Sequence, residues 1–164
     1  MRRLAAAQPD GTCVMCRLSA GNRPLRAEPE ATLELNGFPL RWGHLLVVTR
    51  RHVTTFSELT DDENEQASRL VLAGARAVER VVRPARVFTA SLGTARGDVP
   101  MSSAHLHWHI VPVEHPGERP SDVLTWSNGV VAATADEWRS LRRTITTVLS
   151  GDAQDDVRDV HSDA

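Results

Sequence analysis

The stretch His105-Leu106-His107-Trp108-His109-Ile110-Val111-Pro112 alternates imidazoles with large apolar residues. On an extended strand neighbouring side chains point to opposite faces. The spacing therefore predicts a strand over about 104–112, with His105, His107 and His109 on one face and Leu106, Trp108 and Ile110 on the other. The apolar row, Trp108 included, belongs against a core, which puts the imidazoles on the working surface of a sheet. Three of the seven histidines of the chain stand in this one row. Side chains two apart on a strand lie roughly 7 Å apart, from about 3.3 Å of rise per residue, so three do not converge readily on one small ion. Two chemistries use such a row: a metal site, because neutral imidazole is a common zinc ligand, or nucleophilic and acid/base catalysis near neutral pH. If the outer members serve other centres, the middle one is free to attack an electrophile.

Outward from this strand, Leu33 and Leu35 alternate with polar neighbours over 32–36, a short strand closed by Gly37 and Pro39. The apolar, β-branched run 44–49 after Gly43 reads as a buried strand paired with it in a hairpin. Residues 86–92 read as a further strand, followed by a loop through Gly93, Gly97 and Pro100. Thr60 and Glu63 form a capping box, with Asp61 and Asp62 in the first turn, and Ala67, Leu70, Val71, Gly74, Ala77, Val78 and Val81 recur at helical spacing up to Pro84. A second box, Thr134 and Glu137, opens a helix carrying Trp138, Leu141, Ile145, Val148 and Leu149, with its end expected near Gly151. Strands outnumber helices, so the expected class is α+β with a mainly antiparallel sheet. Residues 1–12 read as a loose arm and 13–150 as the domain. The tail 151–164, with five aspartates, reads as disordered.

Composition narrows the function classes. The chain has 164 residues, 41% hydrophobic and 24% charged, which suits one globular domain and rules out a disordered chain. No apolar run approaches the roughly 20 residues of a membrane-spanning helix, and Gln8, Pro9 and Asp10 interrupt the start before a secretory core forms. The expected location is cytoplasmic, with no membrane partner. A net charge of -2 offers no field to attract a nucleic acid polymer, so an anionic substrate must be held by a local site. All 19 basic residues are arginine, which excludes a lysine nucleophile or Schiff base. Cys13-Val14-Met15-Cys16 spaces two thiols as metal or redox chemistry does in a cytosolic chain.

Residues 105–111 resemble the His-φ-His-φ-His-φ-φ signature of the histidine triad (HIT) superfamily, φ being hydrophobic, and match it at every position. The likeness extends to Asn36-Gly37-Phe38-Pro39 and Gly43-His44-Leu45-Leu46-Val47-Val48, through to Arg51-His52, which are similar to the branch of diadenosine tetraphosphate phosphorylases and hydrolases. Leu92-Gly93-Thr94-Ala95-Arg96-Gly97 is similar to the glycine-rich approach to the triad in that branch.

The resemblance implies a HIT-like fold of about five strands with a core helix and a C-terminal helix, usually as a homodimer. It implies a nucleotide hydrolase or transferase that works on dinucleoside polyphosphates or nucleoside phosphoramidates through a nucleotidyl-histidine. His107 takes the place of the nucleophile and His109 that of the neighbour contacting the phosphate and leaving group. Asn36 stands where ribose is bound, and His44 where another histidine approaches the site. Family members commonly carry Gln or Ser four residues before the first triad histidine; here that residue is Met101, and Ser102 and Ser103 stand next to it as substitutes. By likeness to bacterial members, Cys13, Cys16, His52 and His105 form a closed and hence structural zinc site; no organic cofactor is implied. Two other readings stay open: a nucleotide-binding regulatory module with weak or no catalysis, and a nucleotidyltransferase with a non-nucleotide acceptor. Trp42, in the turn before His44, is a candidate contact for a base or a partner subunit.

Overall fold

The computed structural model describes residues 13–92 and 103–159. Five strands form one sheet: β1 (Arg26–Ala27), β2 (Ala31–Leu35), β3 (Leu45–Thr49), β4 (Arg86–Ala90) and β5 (His107–Val113), in the spatial order β1-β2-β3-β5-β4 with every neighbouring pair antiparallel. The hairpin β2–β3 turns through Gly43, whose φ of +88° suits glycine and whose Cβ, if present, would meet Val82 Cγ2 at 2.6 Å. Among the described residues four α-helices accompany the sheet, α1 (Val14–Ser19), α2 (Asp61–Val82), α3 (Pro120–Val123) and α4 (Ala135–Asp159), with one 3-10 turn at Phe56–Glu58.

Helix α2 carries the crossover from β3 to β4 and closes one face of the sheet. Its capping box is formed as expected: Glu63 N–H donates to the Thr60 hydroxyl, and the Glu63 carboxylate accepts from Thr60 N–H. Ala67, Leu70, Ala77 and Val78 are buried against Leu33, Leu45, Val47 and Ile110, and Leu141, Ile145 and Leu149 of α4 close the same cluster. Leu33, Leu45, Val47 and Ile110 thus face the helices, and the residues that alternate with them face away. A smaller cluster of Leu40, Val111, Val113 and Val123, with Phe88, Leu124 and Trp126, sits on that opposite face.

The structure corrects several sequence expectations. Strand β1 is two residues long, and α1 and α3 are short; none has enough length for a hydrophobic period, and none was expected. The histidine strand begins at His107 rather than at 104, because Leu106 N–H is drawn to the Val53 carbonyl, so His105 lies just outside the ladder. It runs one residue past Pro112, which is tolerated because β3 pairs only as far as Ile110 and leaves Pro112 opposite Val87 alone. Helix α4 continues to Asp159 instead of ending near Gly151. A single glycine costs a helix about 1 kcal/mol without stopping it, so that part of the acidic tail is helical. Trp42 stacks on Trp138 of α4 with ring centroids 4.8 Å apart and packs against the main core. The expected arm, Gly93, Gly97, Met101, Ser102 and 160–164 lie outside the described residues.

Candidate active site and metal centre

Residues directly opposite each other in an antiparallel ladder point to the same face. Glu34 pairs with Leu46 and Leu46 with His109; Thr32 pairs with Val48 and Val48 with His107. The face turned away from α2 therefore carries two parallel rows, Thr32-Val48-His107 and Glu34-Leu46-His109. Asn36 and His44 extend it by one more step, joined by the bond from Asn36 N–H to the His44 carbonyl.

The hydrogen bonds of this face define which ring nitrogens are free. A carbonyl can only accept, so the 2.7 Å contact between His107 Nδ1 and the His105 carbonyl puts the proton on Nδ1 and leaves a lone pair on Nε2. The Leu40 N–H donates to His44 Nδ1 at 3.1 Å, so His44 carries its proton on Nε2, which lies 3.0 Å from His109 Nδ1. His109 is then left with an N–H at Nε2. A bare nitrogen on His107 thus stands beside an N–H on His109, with ring centroids 4.8 Å apart. Burial pushes all three imidazoles below their ordinary value: His107 in direction, His109 to about 3 with the His107 ring adding to the effect, and His44 well below normal. Near neutral pH the three rings are uncharged. Such an arrangement can attack an electrophile through one nitrogen and donate a proton or hydrogen bond through another.

Asn36 is brought to the site with its amide nitrogen 3.2 Å from His44 Nδ1, while its Oδ1 accepts from Phe38 N–H at 2.9 Å. The Ser103 hydroxyl accepts from His105 N–H at 3.3 Å and so steadies the entry to the triad. Sequence reasoning missed Trp126. Its ring packs edge-on to His109 with centroids 5.5 Å apart, and its Nε1–H donates to the Phe38 carbonyl at 3.2 Å. Nothing in local spacing could have placed a loop tryptophan there, 17 residues beyond His109.

At the other end of the triad His105 turns to the cysteines. Its Nδ1 lies 3.5 Å from Cys13 Sγ and 3.3 Å from Cys16 Sγ, and Cys16 Sγ is 3.3 Å from His52 Nδ1. All four donor atoms fall within 4.8 Å of one another. A tetrahedral zinc with Zn–S near 2.3 Å and Zn–N near 2.0 Å has ligand–ligand edges of roughly 3.3–3.8 Å. The donors fit such an ion. Outer partners fit too: His105 Nε2–H donates to the Thr49 carbonyl at 2.8 Å and lies 2.9 Å from the Thr49 hydroxyl, which itself donates to the Arg51 carbonyl. That leaves the His105 Nδ1 lone pair for a metal, and burial lowers its pKa to about 4, keeping the ring neutral.

Comparison with known proteins gives consistent findings. The family profile described as HIT domain matches residues 25–115. An AP-4-A phosphorylase of Mycobacterium tuberculosis is 35% identical over 79 residues, which is 48% of this chain but only 40% of that protein. Adenosine 5'-monophosphoramidase HINT3 of Mus musculus is 32% identical over 117 residues, 66% of this chain and 68% of that protein. Among solved structures, a hypothetical histidine triad nucleotide-binding protein from Sulfolobus tokodaii aligns with a TM-score of 0.65 at 19% identity, over 85% of this chain and 93% of the other. A Zn-bound histidine triad family protein from Mycobacterium smegmatis aligns at 0.62 and 19%, over 85% and 97%. At these identities the two structures speak for the fold.

Proposed function

The chain belongs to the HIT domain family, and from that premise we propose that it is a nucleotide hydrolase or nucleotidyltransferase in which His107 Nε2 attacks the α-phosphorus of a dinucleoside polyphosphate or a nucleoside phosphoramidate. The P–N bond forms as the bond to the leaving phosphate or amine breaks; His109 Nε2–H supplies a hydrogen bond or proton to the departing group. Water or another acceptor then cleaves the nucleotidyl-histidine and regenerates the neutral ring. The observation that carries this reading is the bond from His107 Nδ1–H to the His105 carbonyl. It aims an uncharged nucleophile without a separate base. Both substrate classes have a named representative among the relatives, a phosphorylase for one and a phosphoramidase for the other.

Cys13, Cys16, His52 and His105 would hold zinc in a closed, structural site, a reading supported by the donor set and by the zinc-bound structural neighbour. The ion would supply no chemistry to the reaction; it would brace the segment from which the His105 carbonyl holds His107.

The test is intact-protein mass spectrometry after mixing with adenosine and guanosine dinucleoside polyphosphates and phosphoramidates, combined with steady-state kinetics. A nucleotidyl adduct mapped to His107 is expected. The His107→Asn variant should lose the adduct and about a thousandfold or more of kcat/KM. An adduct on another residue, or a His107→Asn variant with undiminished turnover, overturns the assignment.

A further inference from the structure

We infer that Trp126 is a positioning residue for the proposed reaction: its indole, docked on the turn that follows β2, fixes the tilt of His109 and so aims the His109 Nε2–H at the leaving group. The inference rests on the nucleotidyl-transfer reading above and adds to it a residue from outside the triad and the sheet.

The need for such a wall follows from His109 itself. The His44 contact at 3.0 Å settles which nitrogen of His109 carries the proton. The torsion that turns an imidazole about its own stem is broad, however, so packing has to settle the angle of the ring. Among the described residues three rings pack on His109. His44 and His107 lie at centroid distances of 5.2 and 4.8 Å and belong to the site; Trp126, at 5.5 Å with 62° between the ring planes, comes from the segment between α3 and α4. The row His107, His109, Val111, Val113 on one face of β5 passes from imidazole to apolar after His109. Trp126 packs against the cluster of Leu40, Val111, Val113 and Val123 that covers the apolar half. Seated there, it meets His109 at the boundary.

The indole is itself held. Its Nε1–H donates to the Phe38 carbonyl at 3.2 Å, and Val131 N–H donates to the Pro39 carbonyl at 2.9 Å, so the segment is tied twice to the turn between β2 and β3. Phe38 N–H in turn donates to Asn36 Oδ1, and the Asn36 amide nitrogen lies 3.2 Å from His44 Nδ1. These contacts close a circuit from Trp126 through Phe38, Asn36 and His44 to His109 and back to Trp126. It holds the His109 ring by a hydrogen bond at Nδ1 and by packing against the indole.

The bond that needs this aim is the one that breaks. As His107 Nε2 forms the P–N bond, the bond from phosphorus to the leaving oxygen breaks and its electron pair stays on that oxygen, which accepts a hydrogen bond from His109 Nε2–H. The more basic the leaving oxygen, the more that hydrogen bond contributes, and a misplacement of about 1 Å is enough to lose most of it.

Phenyl and p-nitrophenyl esters of AMP and GMP test this on the full chain, because each pair shares a nucleotide and differs in the basicity of the leaving oxygen. Trp126→Ala should lower kcat/KM for the phenyl esters about tenfold or more, chiefly in kcat, and for the p-nitrophenyl esters by about threefold or less. Trp126→Phe, which keeps a ring against His109 and gives up the Nε1–H anchor, should recover most of the loss. On a His109→Ala background Trp126→Ala should cost nothing further, since its effect runs through that ring. Nitrogen-correlated NMR, which needs no substrate, should show one sharp set of His109 ring signals in the parent and broadened or split signals in Trp126→Ala. Melting curves accompany each variant, and if Trp126→Ala does not fold, Trp126→Leu, which fills the apolar seat without a flat ring, takes its place. Equal losses for the two kinds of ester, losses that add to those of His109→Ala, or a His109 ring already averaged in the parent overturn the inference and leave His107 as the nucleophile. A parent that turns over none of the esters and forms no adduct overturns the nucleotidyl-transfer reading, and this inference with it.

Discussion

Each buried imidazole of the candidate site has one nitrogen claimed by a neighbour, and the identity of that neighbour decides what the other nitrogen can do. The His105 carbonyl makes His107 a lone-pair donor, and the Leu40 N–H, acting through His44, makes His109 a proton donor. The cost is a pH-dependent stability. His109 has a folded pKa of about 3 against 6.5 in the open chain, and His44 is likewise depressed. Below pH 6.5 the unfolded chain takes up protons that the folded one refuses, so stability is complete above that pH and falls as pH drops toward the folded values. Each such histidine contributes a slope of up to about 1.4 kcal/mol per pH unit. Denaturant unfolding at pH 7.5, 6 and 5 should show the decline, and His109→Gln should flatten it; a parent protein equally stable at pH 5 and 7.5 contradicts the neutral network. The alternation of the triad was legible from sequence because it is a period of two on one strand. The tautomers were not, because they depend on backbone groups of Leu40 and His105, and backbone groups carry no residue letter.

Among the elements, α2 was the most legible, since a capping box and a long apolar stripe bracket it, and the structure gives Asp61–Val82 with that box formed. Gly74 in this stripe has a packing role. A Cβ there would lie 2.6 Å from Ile110 Cδ1 and 3.0 Å from Leu33 Cδ1, both fully buried. Helix and sheet approach closely because that position is bare. Gly74→Ala gains about 1 kcal/mol of helix propensity but must overpack a core, which typically costs about 1–3 kcal/mol, so a net loss of up to about 2 kcal/mol is expected. Gly151→Ala in α4 meets nothing within 4 Å and should instead add a few tenths to about 1 kcal/mol. Paired urea melts of the two variants check both signs, and a stabilised Gly74→Ala would refute the close approach. The same contrast explains why α4 runs past Gly151, where the sequence predicts its end: nothing in the packing enforces a stop there. Strand β1 and helix α1 escaped the sequence reading for a different reason. They are held by their neighbours, β1 by pairing with β2 and α1 by contacts to β2 and β3, rather than by any periodicity of their own.

Over the whole molecule, the candidate metal centre joins segments distant in the chain: Cys13 and His105 are 92 residues apart, and Cys16 and His52 are 36 apart. Sequence could propose the ligand set only by likeness, because a Cys-x-x-Cys names two ligands and nothing local names the other two; the fold brings all four together. The physical consequence is linkage, since an ion that binds only the folded arrangement adds its binding free energy to stability. The main core of Leu33, Leu45, Val47, Leu70, Ile110 and Ile145 includes none of the four ligands, so the sheet and α2 should survive without metal while α1 loosens. At a free zinc concentration a thousand times the dissociation constant, the ion adds about 4.1 kcal/mol. At about 2–4 °C per kcal/mol for a chain of this size, chelation should lower Tm by roughly 8–16 °C. Elemental analysis should find about one zinc per chain before chelation, and Cys13→Ser should reproduce the drop. Hydrogen exchange distinguishes the local account from a global one: amide protection should fall first in Val14–Ser19 and around His52, while Leu70–Val78 of α2 stays protected. Metal-free protein with the Tm of the purified form, or protection lost uniformly through α2, would show that these four side chains meet without bearing load for the fold.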